Sequence, residues 1–140
     1  MDYLEVEGAR EYVGRLDHDG DWRGQIEDFA AEEGIDAAFF YSLGAVKDAR
    51  LLFYDQDDLE YYPIEFDEPF EMTPAVGNIS HLDGERFAHT HAVLSREDGS
   101  TVAGHLDTAT VFAGEVYIRE FDTHLEREHD EVTDLDLWEL

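Results

Sequence analysis

The sequence predicts an α+β domain, an antiparallel or mixed sheet carrying a few packed helices. Three observations lead there. Stretches with strand-like alternation or short apolar runs outnumber stretches with helical spacing. The turns between them are short and built largely from Asp and Gly. One segment alone shows a clear apolar stripe of 3.6-residue period. At 140 residues, with 43 % hydrophobic and 13 % aromatic content, the chain can bury one sizeable core and is expected to be a single domain over residues 1–140.

The elements follow in order. Ala9 to Leu16 reads as a first strand, closed by the turn Asp17-His18-Asp19-Gly20. Asp21 is placed to cap a helix in which Trp22, Ile26, Phe29 and Ala30 share one face, and Gly34 ends it. Ile35 to Leu43 is an apolar, aromatic run expected to be a buried strand. Gly44 permits a bulge or bend before a further strand from Ala45 to Tyr54. Leu59 to Phe66 is strand-like, and Phe70 to Ile79, which carries Pro74 and Gly77, is expected to be irregular or at a sheet edge. Asp83-Gly84 makes a turn. Phe87 to Arg96 alternates as a strand, and Asp98-Gly99 is a favoured hairpin dipeptide that returns Thr101 to Leu106 beside it. Val111 to Phe121 is the last long strand. The acidic segment 122–140 keeps Leu135, Leu137 and Trp138, and is expected to pack on the body or on a neighbouring subunit.

Thirty-six acidic residues face nine basic ones, a net charge of -27 spread along the whole chain. Self-repulsion of that size opposes compaction in dilute buffer and is screened in about 1 M salt, where the Debye length is about 3 Å. The expected setting is a halophilic cytoplasm. The alternative, an acidic surface for a basic partner, normally gathers its charge in blocks. The same charge argues against direct binding to nucleic acid, which rests on Lys and Arg at phosphates. No run of 18 apolar residues is present, so no membrane span is expected. With no cysteine, any metal must be held by His, Asp, Glu or backbone oxygen.

The chemistry-bearing pattern is His89-Thr90-His91 together with Gly104-His105. Side chains alternate along a strand, so His89 and His91 project from one face with Thr90 directed away. A hairpin turned at Asp98-Gly99 brings His105 beside them. Three imidazoles suit zinc and leave a fourth tetrahedral position for water, a ligand or a carboxylate, although imidazole also accepts nickel, copper, cobalt or iron. Asp107, Glu85 and His81 are candidates to support such a centre. The competing reading is that these histidines are half-buried strand residues satisfied by ordinary hydrogen bonds. His18, His124 and His129 are expected at the surface, Arg10 in an ion pair, and Phe39, Phe40 and Tyr41 in core and interface. Ser42-Leu43-Gly44 lacks the surroundings of a nucleophile elbow, and no Gly-rich phosphate loop occurs.

Arg15-Leu16, Ile35 to Val46 with its Ser-Leu-Gly-Ala-Val core, Pro69-Phe70-Glu71, Val76 to Ser80, and His89 to Ser95 through Gly104-His105-Leu106 together give a pattern that resembles the plant and prokaryote conserved (PPC) domain in its stand-alone form. The resemblance implies an α+β fold, a homotrimer, and metal binding at His89, His91 and His105. In plants this domain accompanies an AT-hook, an Arg-Gly-Arg-type minor-groove reader, and the proteins are DNA-associated. No such hook occurs in this sequence. The resemblance supplies no established reaction. Two functions are therefore expected to compete: a metal-binding homotrimer with a small-molecule ligand, and a regulatory module acting through partners with a structural metal.

Overall fold

A computed structural model describes residues 1–140 and contains one helix and eight strands. These are β1 (Gly8–Leu16), α1 (Trp22–Glu33), β2 (Ala38–Asp55), β3 (Glu60–Phe66), β4 (Phe70–Leu82), β5 (Glu85–Ser95), β6 (Thr101–Phe121), β7 (Arg127–Asp130) and β8 (Leu135–Trp138). Strand accounts for 64 % of the residues and helix for 9 %. The expected α+β class with several helices is therefore corrected to a β-rich antiparallel fold with one short helix. The physical reason is that helical periodicity occurs once, whereas nearly every other segment alternates and is rich in residues that suit a pleated surface.

The single helix is built as its sequence dictates. A carboxylate oxygen of Asp21 accepts from the backbone N–H of Gly24 at 2.7 Å, and its other oxygen accepts from Ala109 N–H at 2.9 Å, so one cap also ties the helix to β6. Gly34 closes the helix in the left-handed region at φ 68°. Trp22, Ile26 and Ala30 are buried, and the Trp22 indole donates to the Ser42 hydroxyl at 3.1 Å.

Six strands form one sheet in the order β1-β6-β5-β4-β2-β3, and β6 also pairs with β2. The ladders β2–β4–β5–β6–β2 therefore close a ring, with β1 and β3 attached to its long members. β2 runs for 18 residues and β6 for 21, so the two strands expected on either side of Gly44, and the two expected between Thr101 and Phe121, are each continuous. Their breaks in alternation are register shifts, between Ser42 and Gly44 and at several points along the β2–β6 ladder, that bend the strands around the core. β4 lies between β2 and β5, not at an edge, and accommodates Pro74 in a register shift between Met72 and Ala75. Phe40, Val46, Met72, Ile79, Leu94 and Leu106 face the enclosed core with Trp22 and Ile26 from the helix.

Gly44 marks the tightest backbone approach. Its φ is 149°, and a Cβ there would sit 2.1 Å from the Ala113 carbonyl oxygen. Gly34 is also left-handed but has open space around it. Gly44→Ala is therefore expected to cost about 2 kcal/mol or more through strain plus overlap, against about 1 kcal/mol for Gly34→Ala, measured as chemical unfolding free energies.

The acidic tail forms a hairpin that sequence reading did not resolve. β7 and β8 pair from Arg127↔Trp138 to Asp130↔Leu135. The hairpin is fastened to the body by the Arg127 guanidinium, which donates to Ser80 Oγ at 2.8 Å and Asn78 Oδ1 at 2.9 Å, and by the Tyr54 hydroxyl donating to the Thr133 carbonyl.

Candidate metal centre

β5 and β6 position the three histidines. His91 lies directly opposite His105 in the ladder, and His89 is two residues along β5 on the same face. Thr90 points the other way, into the core, where its hydroxyl donates to the Ala88 carbonyl at 2.8 Å. The ring centroids lie 5.1 Å (His89–His91), 4.9 Å (His89–His105) and 5.4 Å (His91–His105) apart. One nitrogen from each ring falls within 4.8 Å of the others. A tetrahedral shell with nitrogens about 2.0–2.1 Å from zinc needs separations of about 3.4 Å, so small side-chain rotations close the shell. The donor set fits a divalent transition metal.

The electrostatics favour the form that binds metal. Burial, followed by the charges of His105, Arg127 and His91, pushes His89 down to about 4. Burial, followed by His91, Arg23 and Arg127, does the same to His105. Both rings are therefore neutral near pH 7, with lone pairs available. His91 is exposed, so the triad spans the boundary between a half-buried floor and the surface.

The floor opens into a cavity of about 400 Å³. His89 and His105 line it together with Arg23 from α1, Arg127 from β7, Tyr61 and Phe87. The hairpin β7–β8 contributes Leu135 and Leu137 to its wall. Arg127 comes within 3.4 Å of His89 Nδ1, at the outer limit of a hydrogen bond. Arg127 and the hairpin escaped sequence reading, yet a signal was present: Arg127 is the one Arg or Lys after Arg119 in a strongly acidic segment.

The other singled-out residues are distributed as follows. Asp107 lies two positions from His105 and binds Arg50 at 2.5 Å. Glu85 begins β5, exposed, at the Asp83-Gly84 turn. His81 is away from the triad: its Nε2 is 2.9 Å from Asp36, its ring packs 4.4 Å from His124, and Asp36, His81 and His124 form a second potential ligand group. Asp36 there also accepts from Arg86 at 2.8 Å. His18 and His129 are exposed. Arg10 is in an ion pair with Glu120 at 2.5 Å. Phe40 is in the core, while Phe39 and Tyr41 face outward at 48 % and 52 % exposure.

The whole chain matches known structures. A metal-containing protein from Archaeoglobus fulgidus superposes with a TM-score of 0.96 at 39 % identity, covering 100 % of both chains. A plant- and prokaryote-conserved protein from Pyrococcus horikoshii gives 0.94 at 29 % identity, covering 100 % of this chain and 98 % of its own. A protein from Ralstonia eutropha, named as a candidate DNA-binding protein, gives 0.83 at 25 % identity over 92 % and 90 % of the two chains. No curated protein matches the sequence. Residues 3–122 match the family model of the Plants and Prokaryotes Conserved domain. With that match across most of its length, the chain belongs to the Plants and Prokaryotes Conserved (PCC) domain family.

Proposed function

We propose that the protein is a homotrimeric metal-binding protein that holds one divalent transition metal, zinc in first place, at His89, His91 and His105. The convergence of three imidazoles on one strand pair carries this reading. The name of the Archaeoglobus protein, metal-containing, supports it from a structure alike over the full chain. Three protein ligands leave a fourth position for water or a ligand, which is the arrangement of reactive centres and not of closed structural ones. No helix is long and apolar enough to cross a membrane.

The trimer has its support in the outer sheet surface. Val13, Phe39, Tyr41, Leu43 and Val76 are all exposed, an apolar area of the kind that subunits cover. The evenly spread charge supports a salt-rich setting, where screening restores compactness. A second reading, a regulatory module associated with DNA through partners, draws on the name of the Ralstonia protein. A net charge of -27 opposes direct contact with phosphates.

Elemental analysis and light scattering on untagged protein purified in high salt test the first reading. The expected result is one zinc per chain and a particle of three times 16.1 kDa. Absence of metal even after zinc reconstitution defeats the metal assignment, and a monomeric mass defeats the trimer.

A further inference from the structure

The cavity above the histidines is unusual for its charge. The chain has four acidic residues for every basic one, yet two guanidinium groups converge on this pocket. Arg127 is among the buried residues, at 9 % exposure, and its hydrogen bonds go to Ser80 Oγ, Asn78 Oδ1, the Asp136 carbonyl and, at 3.4 Å, His89 Nδ1. None of those partners is a carboxylate. Arg23 has no hydrogen-bonded partner: Glu27 stands 3.6 Å from it and Asp107 3.9 Å, and its Nε is buried and unsatisfied. Asp107 is already bound to Arg50, and Glu27 accepts from the Ala88 N–H. Asp134 and Asp136 also line the pocket, 3.3 and 4.0 Å from His129, and the Asp136 charge acts on Arg127 without a hydrogen bond between the two side chains.

A divalent ion held by the three imidazoles would add two positive charges beside these guanidiniums. Uncompensated charge in a half-buried site is costly, and an anion relieves it. Guanidinium groups recognise carboxylate oxygens through paired N–H donors. Besides Tyr61 and the hairpin carboxylates of Asp134 and Asp136, the rest of the lining is apolar: Leu52, Leu82 and Phe87 on the body, Leu135 and Leu137 on the hairpin. At about 400 Å³ the space admits a small organic ligand.

We infer that this cavity binds a small organic monocarboxylate, its carboxylate held by Arg23 and Arg127 beside His89 and His105 and its apolar body against Phe87 and the hairpin leucines. The inference rests on the metal reading for the ligand's closest approach to the triad. The arginine contacts are independent of it.

The test is calorimetric titration of 3-methylbutanoate and of its neutral isostere 3-methylbutanamide into zinc-reconstituted and chelator-treated protein, repeated with Arg23→Met and Arg23→Lys. Met keeps the apolar contact with Phe87 and removes no hydrogen bond, and the thermal midpoint and zinc content of each variant check the fold. The expected result is one carboxylate per chain in the zinc form, with the amide and Arg23→Met each at least about tenfold weaker and Arg23→Lys in between. Equal binding of acid and amide, no binding of either, or unchanged affinity in Arg23→Met overturns the inference. Should the protein take up no zinc, the metal reading fails alone, and the chelator-treated titration decides. Carboxylate binding that depends on Arg23 then sustains the anion site, and its absence overturns it.

Discussion

Zinc affinity is expected to fall by at least about 100-fold in His105→Ala, with the fold intact. Loss of groups that merely orient metal ligands costs about 10–100-fold, so loss of one of the three proposed ligands sets that range as a lower bound. His105 is the most informative of the three because it comes from a different strand and lies directly opposite His91. Its removal leaves two imidazoles on β5 that a solvent-exposed metal would hold only weakly. A competition titration against a chromophoric chelator reads the affinity, and circular dichroism reads the fold. His124→Ala is the paired control. That residue belongs to the separate group with Asp36 and His81, and its loss should leave the affinity unchanged. Equal loss in both variants, or no loss in His105→Ala, would place the metal elsewhere.

The triad was legible in the sequence because its geometry is local. Alternation places His89 and His91 on one face, and the Asp98-Gly99 hairpin sets the register that brings His105 opposite His91. The helix was legible for the same reason: Asp21, the stripe through Trp22, Ile26 and Ala30, and Gly34 are all near neighbours. What escaped depended on long-range pairing. Whether Gly44 interrupts a strand or bulges it is decided by β6, whose Ala113 carbonyl crowds it from far along the chain. Phe70 to Ile79 looked peripheral because Pro74 lacks a donor, but a register shift lets β4 sit between two partners. The helix content was overestimated because an α+β class presumes several helices to cover one sheet, whereas a sheet that closes on itself needs little covering. In the sequence Arg127 is a single cation within an acidic segment. Its role exists only once the hairpin folds back onto Asn78 and Ser80.

Metal-free protein is expected to lose stability through the buried histidines as the pH falls from about 6.5 to about 4. Burial holds His89 and His105 near 4 in the folded state, against 6.5 for the free side chain. Between those values the unfolded chain binds protons that the folded chain refuses, so protonation favours unfolding, and the loss is complete once the pH is below the folded value. The charge of His105 lowers His89, so the two shifts are not independent, and because both side chains are only partly buried the combined effect is on the order of 2–4 kcal/mol. The 36 carboxyl groups complicate the raw profile, since neutralising them in acid relieves repulsion and acts in the opposite direction. The quantity to measure is therefore the difference between the wild type and His89→Gln/His105→Gln, both chelator-treated, in urea unfolding at pH 7, 5.5 and 4.5. The carboxylates are common to both and largely cancel, leaving the histidine contribution. The wild type should lose ground to the double variant steadily across that series. Parallel profiles would mean that water reaches both rings freely, and a hydrated cleft would also weaken the electrostatic case for an anion beside Arg23 and Arg127. Acid unfolding of the empty protein thus probes the same dielectric environment that the ligand site requires.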